Sequence, residues 1–190
     1  MNIESILNIL GIFIWSLLAG ARLNQIISGN FWLIPVFLHS LLAVVLLICH
    51  RSPVKVAPVP QILIAWFSVS LPLAMQVSQI YTWGLRALSV LAVVFSIWAL
   101  LALGKSFGVA PADRGLVDQG PYRFVRHPMY MGEMLSTLVL LPGNVSLPNL
   151  ILMSGVILTI ILRIIWEENI IEGYFAYAHQ VRWRLVPGVW

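Results

Sequence analysis

"GLRALSVLAVVFSIWALLAL", residues 84–103, carries a single charge, Arg86, close to its start. A helix that crosses a bilayer needs about 20 apolar residues, because the hydrocarbon core is about 30 Å thick and each helical residue adds about 1.5 Å. The stretch meets that requirement as it stands. Similar apolar runs lie on either side of it, at 3–20, 31–49, 61–80, 129–142 and 147–166. The chain is 60% hydrophobic and only 9% charged, with a mean hydropathy of +0.93, against roughly 25% charged residues in soluble domains. The reading is an all-α, polytopic transmembrane helical bundle of about five to six membrane helices. The fifth run is too short to cross upright, since its residues cover only about 21 Å. It should be tilted, partly re-entrant, or sheltered by its neighbour, and Pro142-Gly143-Asn144 turns it into the sixth run as a helical hairpin.

The first run, opened by Met1-Asn2-Ile3-Glu4, lacks the basic start and small-residue cleavage site of a signal peptide and is read as a mature helix. A single cysteine, Cys49, excludes an internal disulfide, and its place at the end of an apolar run marks it for packing rather than chemistry. Without internal repeats, the sequence is expected to form one membrane domain over 1–190, with 1–103 mainly scaffold and 104–190 the polar half.

Basic residues orient the bundle, because cytoplasmic loops hold the excess of Lys and Arg. With six runs and the N-terminus inside, Arg51, Lys55, Lys105, Arg114, Arg123, Arg126, Arg182 and Arg184 fall on one side and only Arg22 and Arg86 on the other. Both termini and the 104–128 loop are therefore expected to be cytoplasmic. The formal charge of +4 follows from this bias together with attraction to anionic membrane lipids, and it gives no reason to invoke nucleic acid.

Within that loop, Gly115-Leu116-Val117 and Gly120-Pro121-Tyr122 read as two turns around a short extended piece. His127 precedes a proline, which disfavours the helical region, whereas Pro128 suits the first position of a helix. A helix should begin at Pro128, with its free N–H groups and positive dipole end facing Arg126 and His127. That arrangement suits a carboxylate or a phosphate.

Arg163 lies just inside the end of the sixth run, where a charge is costly unless it is paired, reaches the headgroups, or lines a wet cavity. Glu167 stands four residues on and shares its helix face. Glu133, one turn into the fifth run, is either a partner of Arg163 or a supporting group near the site. His39 reads as a hydrogen-bonded core histidine and His50 as an interface residue. The histidines show no paired metal-ligand spacing, so no metal is expected. Glycine-rich phosphate loops and a nucleophile elbow are also lacking.

"GLVDQGPYRFVRHPMYMG" (115–132), followed by "RIIWEEN" (163–169) and "YFAYAHQVRWRLVPGVW" (174–190), resembles the isoprenylcysteine carboxyl methyltransferases and related membrane methyltransferases, including the phospholipid N-methyltransferases. The likeness covers roughly 104–190 and rests on the G-x-Y-x-x-x-R-H-P-x-Y-x-G string and the trailing acidic pair. It implies S-adenosyl-L-methionine as methyl donor and a lipophilic, lipid-like acceptor. It also implies that Gly115, Leu116 and Val117 line an adenosine pocket with Tyr122 nearby, that His127, Pro128, Met129 and Tyr130 meet the cofactor, and that Glu167 binds one of its polar groups. Arg163 matches the arginine that orients the substrate carboxylate in the carboxyl methyltransferases, which makes Arg163 and Glu167 the implied catalytic pair.

In-line methyl transfer demands alignment and exclusion of water more than acid–base chemistry when the acceptor is a carboxylate. An amine acceptor must also lose a proton to Glu167, Glu168 or Glu133. After the acidic pair, "NIIEGYFAY" (169–177) departs from the family's usual leucine and Phe-Gly punctuation. The expected activity is carboxyl O-methylation of an isoprenylcysteine-like substrate. Phospholipid N-methylation is the nearest alternative, and a non-catalytic small transporter or binding protein the alternative of another class.

Overall fold

The computed structural model describes residues 3–76 and 82–190. Its helices are α1 (Ile3–Ile27), α2 (Ile34–Cys49), α3 (Val59–Ser70), α4 (Trp83–Leu103), α5 (Pro128–Leu138), α6 (Leu147–Ile170) and α7 (Tyr174–Gln180), joined by short 3₁₀ turns. Two dipeptides, β1 (Lys55–Val56) and β2 (Ala112–Asp113), pair antiparallel. Four helices are long and apolar enough to cross a membrane: Ile3–Ile27, Phe31–Cys49, Trp83–Ser106 and Leu147–Ile170. The bundle is helical and membrane-spanning, as composition requires.

Two of the six apolar runs fall short of a full span. α5 is short, as expected, and packs against α6 as the second arm of a hairpin. The 61–80 run corrects the sequence reading: α3 ends at Ser70, a 3₁₀ turn covers Leu71–Ala74, and Met75 is extended. Pro72 is the cause, because it cannot donate the helical hydrogen bond and its ring crowds the preceding turn. The remainder of that run, 77–80, lies outside the described residues, as do Met1 and Asn2 of the opening motif. Cys49 is a second correction: it is exposed on the last turn of α2 rather than packed inside.

Close helix approach depends on small residues, the usual device where lipid removes the hydrophobic drive for helices to associate. α4 and α5 meet at Gly132, where an added Cβ would fall 2.7 Å from Ser96 Cβ and 2.9 Å from its Cα. Ser96 also bonds His39 Nε2 at 3.1 Å, so His39 is the hydrogen-bonded core histidine expected of it. One buried cluster gathers Leu46, Leu47, Ala65, Leu100, Phe107 and Val109; another gathers Leu71, Tyr130, Val156, Ile160, Ile164 and Leu185.

The two ends of the bundle differ. At one, Asn149 closes the connections: its Oδ1 accepts from Gln76 N at 3.0 Å, and its Nδ2 donates to the carbonyls of Gln76 (2.8 Å) and Asn144 (2.9 Å). At the other, the α2–α3 loop is stitched to the 104–128 loop through Arg51 N to Lys105 O (2.8 Å), Ala57 N to Pro111 O (3.0 Å) and the β1–β2 pair. The basic residues that the charge pattern assigned to one side thus share one layer.

Candidate active site

Arg126, His127, Glu133, Arg163, Glu167, Glu168, Tyr174 and Arg184 gather about the α5–α6 hairpin. α5 starts at Pro128, preceded by His127 at φ −128°, ψ 60°, outside the helical region that the proline disfavours though short of a fully extended backbone. The helices run antiparallel, so positions three apart on α5 meet positions four apart on α6. Glu133 pairs with Arg163, with 3.2 Å between Oε2 and Nη1, and the Tyr130 hydroxyl donates to Glu167. Nearer the loop, His127 Nε2 lies 3.4 Å from Glu168, and its Nδ1 lies 3.8 Å from Glu167.

Glu168 is the most heavily partnered group. Arg184 grips it with Nε and Nη2, each at 2.9 Å, Arg126 Nη1 stands at 3.3 Å, and the Tyr174 hydroxyl donates at 3.2 Å. Glu167 is left with Tyr130 and His127 alone; no Lys or Arg of the described residues lies within 4.0 Å of its carboxylate.

The C-terminal segment is part of this site. Arg126 N and His127 N donate to the carbonyls of Trp183 (2.8 Å) and Arg184 (2.9 Å), the Tyr177 hydroxyl donates to Tyr122 O at 2.7 Å, and the Tyr174 hydroxyl lies 2.8 Å from His127 Nε2. Burial pushes the hydroxyls of Tyr122, Tyr174 and Tyr177 above the ordinary phenol range, with Glu167 adding to the shift at Tyr122 and Glu168 at Tyr174. All three stay protonated donors at neutral pH.

A cleft of about 620 Å³, its open mouth included, lies between the loop, the start of α5 and the end of α6. Among its walls are Gly115, Leu116, Val117, Tyr122, His127, Met129, Tyr130 and Glu167, which the structure therefore brings together as the sequence reading grouped them. Two residues of that set are not on the walls. Pro128 is buried as the first residue of α5, and Arg163, 1% exposed, sits behind Tyr130 with its guanidinium carbon 4.4 Å from the ring centre. Arg163 therefore does not reach the headgroups; its charge is met by Glu133.

The sequence reading missed Ser106, Arg114, Ile171, Tyr174 and Tyr177 as cleft residues. For the tyrosines a signal existed, since Tyr174 and Tyr177 are three apart in an otherwise unassigned tail and share a helix face. Arg114 had none, because its partner is Glu4 on α1, in a buried contact across the bundle. The first helix is thus tied to the cleft loop through Glu4.

The donor set fits a zwitterionic ligand with a ring-bearing portion. Arg126 lines the cleft, and its buried Nε has no hydrogen-bond partner, while the carboxylate of Glu167 faces the same space without a cation. Tyr122 and Tyr177 supply aromatic walls.

Comparison with curated proteins and with solved structures returns no match. A family model does match: that of the phospholipid methyltransferases, over residues 77–178, just over half of the chain. The matched region contains the start of α5, the Glu133–Arg163 pair and the acidic pair 167–168. The protein is an integral membrane methyltransferase and belongs to the phospholipid methyltransferase family.

Proposed function

We propose that the chain, as one domain over 1–190, transfers a methyl group from S-adenosylmethionine to a lipophilic acceptor that reaches the cleft from the bilayer. The observation that carries the reading is the convergence, in one cleft at the start of α5, of Gly115–Val117, Tyr122, His127, Met129, Tyr130 and Glu167. When bound, the cofactor supplies a methyl group already activated on a sulfonium. Arg126 and the first turn of α5 bind its carboxylate, Glu167 binds its amino group, and the 115–117 turn with Tyr122 lines its adenosine. The fixed charges orient it, and the docked tail excludes water. The cleft end of the bundle, rich in Lys and Arg, faces the cytoplasm.

The acceptor nucleophile is an amine of the phospholipid type, in preference to the carboxylate of an isoprenylcysteine-like lipid. One observation favours this choice: the arginine that would orient a carboxylate, Arg163, is buried, paired with Glu133, and absent from the cleft walls. Glu167 and His127 are the cleft groups able to take the proton that an amine releases.

Calorimetric titration of the purified protein with S-adenosylmethionine and S-adenosylhomocysteine tests the cofactor, and no binding by folded protein would sink the reading. Labelled cofactor offered with phosphatidylethanolamine and with a farnesylcysteine analogue tests the acceptor. Label in the farnesylcysteine alone would restore the carboxylate reading.

A further inference from the structure

The deep part of the hairpin contains charge that the chemistry above does not use. Arg163 is 1% exposed, its Nη1 lies 3.2 and 3.5 Å from the two Glu133 oxygens, and its Nη2 lies 3.5 Å from Val109 O. Above it stands Tyr130, also 1% exposed, whose ring is covered by the guanidinium on one contact and stacked 5.7 Å from His127 on another. The hydroxyl of that ring holds Glu167.

We propose that Arg163 and Glu133 are positioning residues for the cofactor site: Arg163 fixes the Tyr130 ring so that its hydroxyl orients Glu167 into the cleft, and Glu133 keeps Arg163 from capturing Glu167 itself. The proposal rests on the reading above that Glu167 meets the cofactor.

Three observations carry it. The guanidinium is planar and matches the tyrosine face, which a point-charge ammonium does not. Glu167 has no other firm anchor, because the neighbouring cations Arg126 and Arg184 approach Glu168 and neither comes within 4.0 Å of Glu167. Finally, Arg163 and Glu167 are four residues apart on one face of α6, the spacing at which opposite charges pair. What holds them apart is Glu133, which reaches Arg163 from α5 and satisfies its charge. With Glu133 neutral, Arg163 is an unmatched cation one turn from the cleft carboxylate, and it should draw Glu167 out of the cleft.

The test measures S-adenosylhomocysteine affinity by calorimetry, the KM for each substrate, and thermal stability. Tyr130→Phe keeps the ring and removes the hydroxyl, so the S-adenosylhomocysteine Kd should rise about tenfold, the scale of one lost hydrogen bond to a charged group. Arg163→Lys keeps the charge and loses the stacking, and should raise that Kd about fivefold with the acceptor KM unchanged. Glu133→Gln should raise it about tenfold by freeing Arg163, and Glu133→Gln with Arg163→Gln should bring it back toward wild type, a rescue that loss of packing cannot produce.

A Tyr130→Phe protein that binds like wild type overturns the proposal, as does an Arg163→Lys protein impaired only in acceptor KM. A double variant that folds and still binds as poorly as Glu133→Gln overturns the role of Glu133. Should the double variant fail to fold, Tyr130→Phe and Arg163→Lys decide the matter. A wild-type protein that does not bind S-adenosylhomocysteine overturns this proposal and the proposed function together, whereas wild-type binding with unaffected variants overturns the positioning role alone.

Discussion

Arg114 and Arg163 are both buried, and they hold successive carbonyls of the same loop. Arg114 Nη1 donates to Ala110 O at 3.2 Å and Arg163 Nη2 to Val109 O at 3.5 Å. Each also takes one carboxylate, Glu4 from α1 and Glu133 from α5. The loop between them, with Phe107, Val109, Ala110, Pro111 and Ala112 all buried, is clamped from opposite sides. The two arms differ in what lies beyond them. Arg114 lines the cleft directly and ties it to the first helix, whereas Arg163 stands behind Tyr130 and reaches the cleft only through that ring. A buried arginine in a membrane protein is therefore not a ligand for substrate by default; its paired carboxylate decides what it can do.

Breaking the first arm should have the largest effect. Glu4→Ala leaves the Arg114 charge buried without its carboxylate, and thermal or denaturant unfolding in micelles should show a loss of about 3–5 kcal/mol. A loss below about 1 kcal/mol would mean that water replaces Glu4 and that α1 is scaffold after all. The second arm is reached by Gly132→Ala, where the new Cβ meets Ser96 backbone at 2.9 Å. We expect a stability loss of up to about 3 kcal/mol, accompanied by weaker S-adenosylhomocysteine binding because α5 carries Tyr130.

The far end of the bundle supplies the control. Asn149→Ala strands the Gln76 amide, leaves the Gln76 carbonyl to Asn144 Nδ2 alone, and should cost about 2 kcal/mol with no change in cofactor affinity. A parallel fall in affinity would show that the two ends are not independent. Smallest is Tyr177→Phe, which removes one bond to Tyr122 O, worth about 1 kcal/mol. The pH dependence has the same origin. Tyr174 and Tyr177 have raised phenol pKa values in the folded chain, so their contribution is complete below about pH 10, the unfolded value, and is lost as pH rises beyond it. Protection of residues 181–190 against hydrogen exchange, taken relative to the intrinsic base-catalysed rate, should therefore fall in alkali before that of the long helices.

What the sequence disclosed was local chemistry. The start of α5 at Pro128, the turns at Gly115 and Gly120, and the shared face of Arg163 and Glu167 on α6 follow from a single backbone rule or from spacing along a helix. Glu133, by contrast, could be read either as a partner of Arg163 or as a supporting group. The contacts that remained hidden join distant parts of the chain through no periodic signal: Glu4 with Arg114, Lys55 beside Asp113, and Arg126 with Trp183. Hydropathy concealed the end of α3, because residues on both sides of Pro72 are equally apolar. The grouping of Gly115–Val117 with Tyr130 and Glu167 was legible only through family likeness, since the motif order fixes the residues but not the space between them.

The shortness of α5 has a mechanical consequence. From the Glu133–Arg163 pair to their ends, α6 rises about 24 Å while α5 rises only about 8 Å. The 139–146 connector must cover the difference at membrane depth, and its turns close on themselves: Val139 N to Leu135 O, Leu140 N to Thr137 O, Gly143 N to Leu140 O and Asn144 N to Leu141 O. Acyl chains beside this hairpin therefore meet a surface that is not a full cylinder, and they must shorten or tilt to cover it. Long-chain lipids should therefore load this mismatch onto the 139–146 connector, at the end of the hairpin remote from the residues that hold Glu167, and short-chain lipids should relieve it.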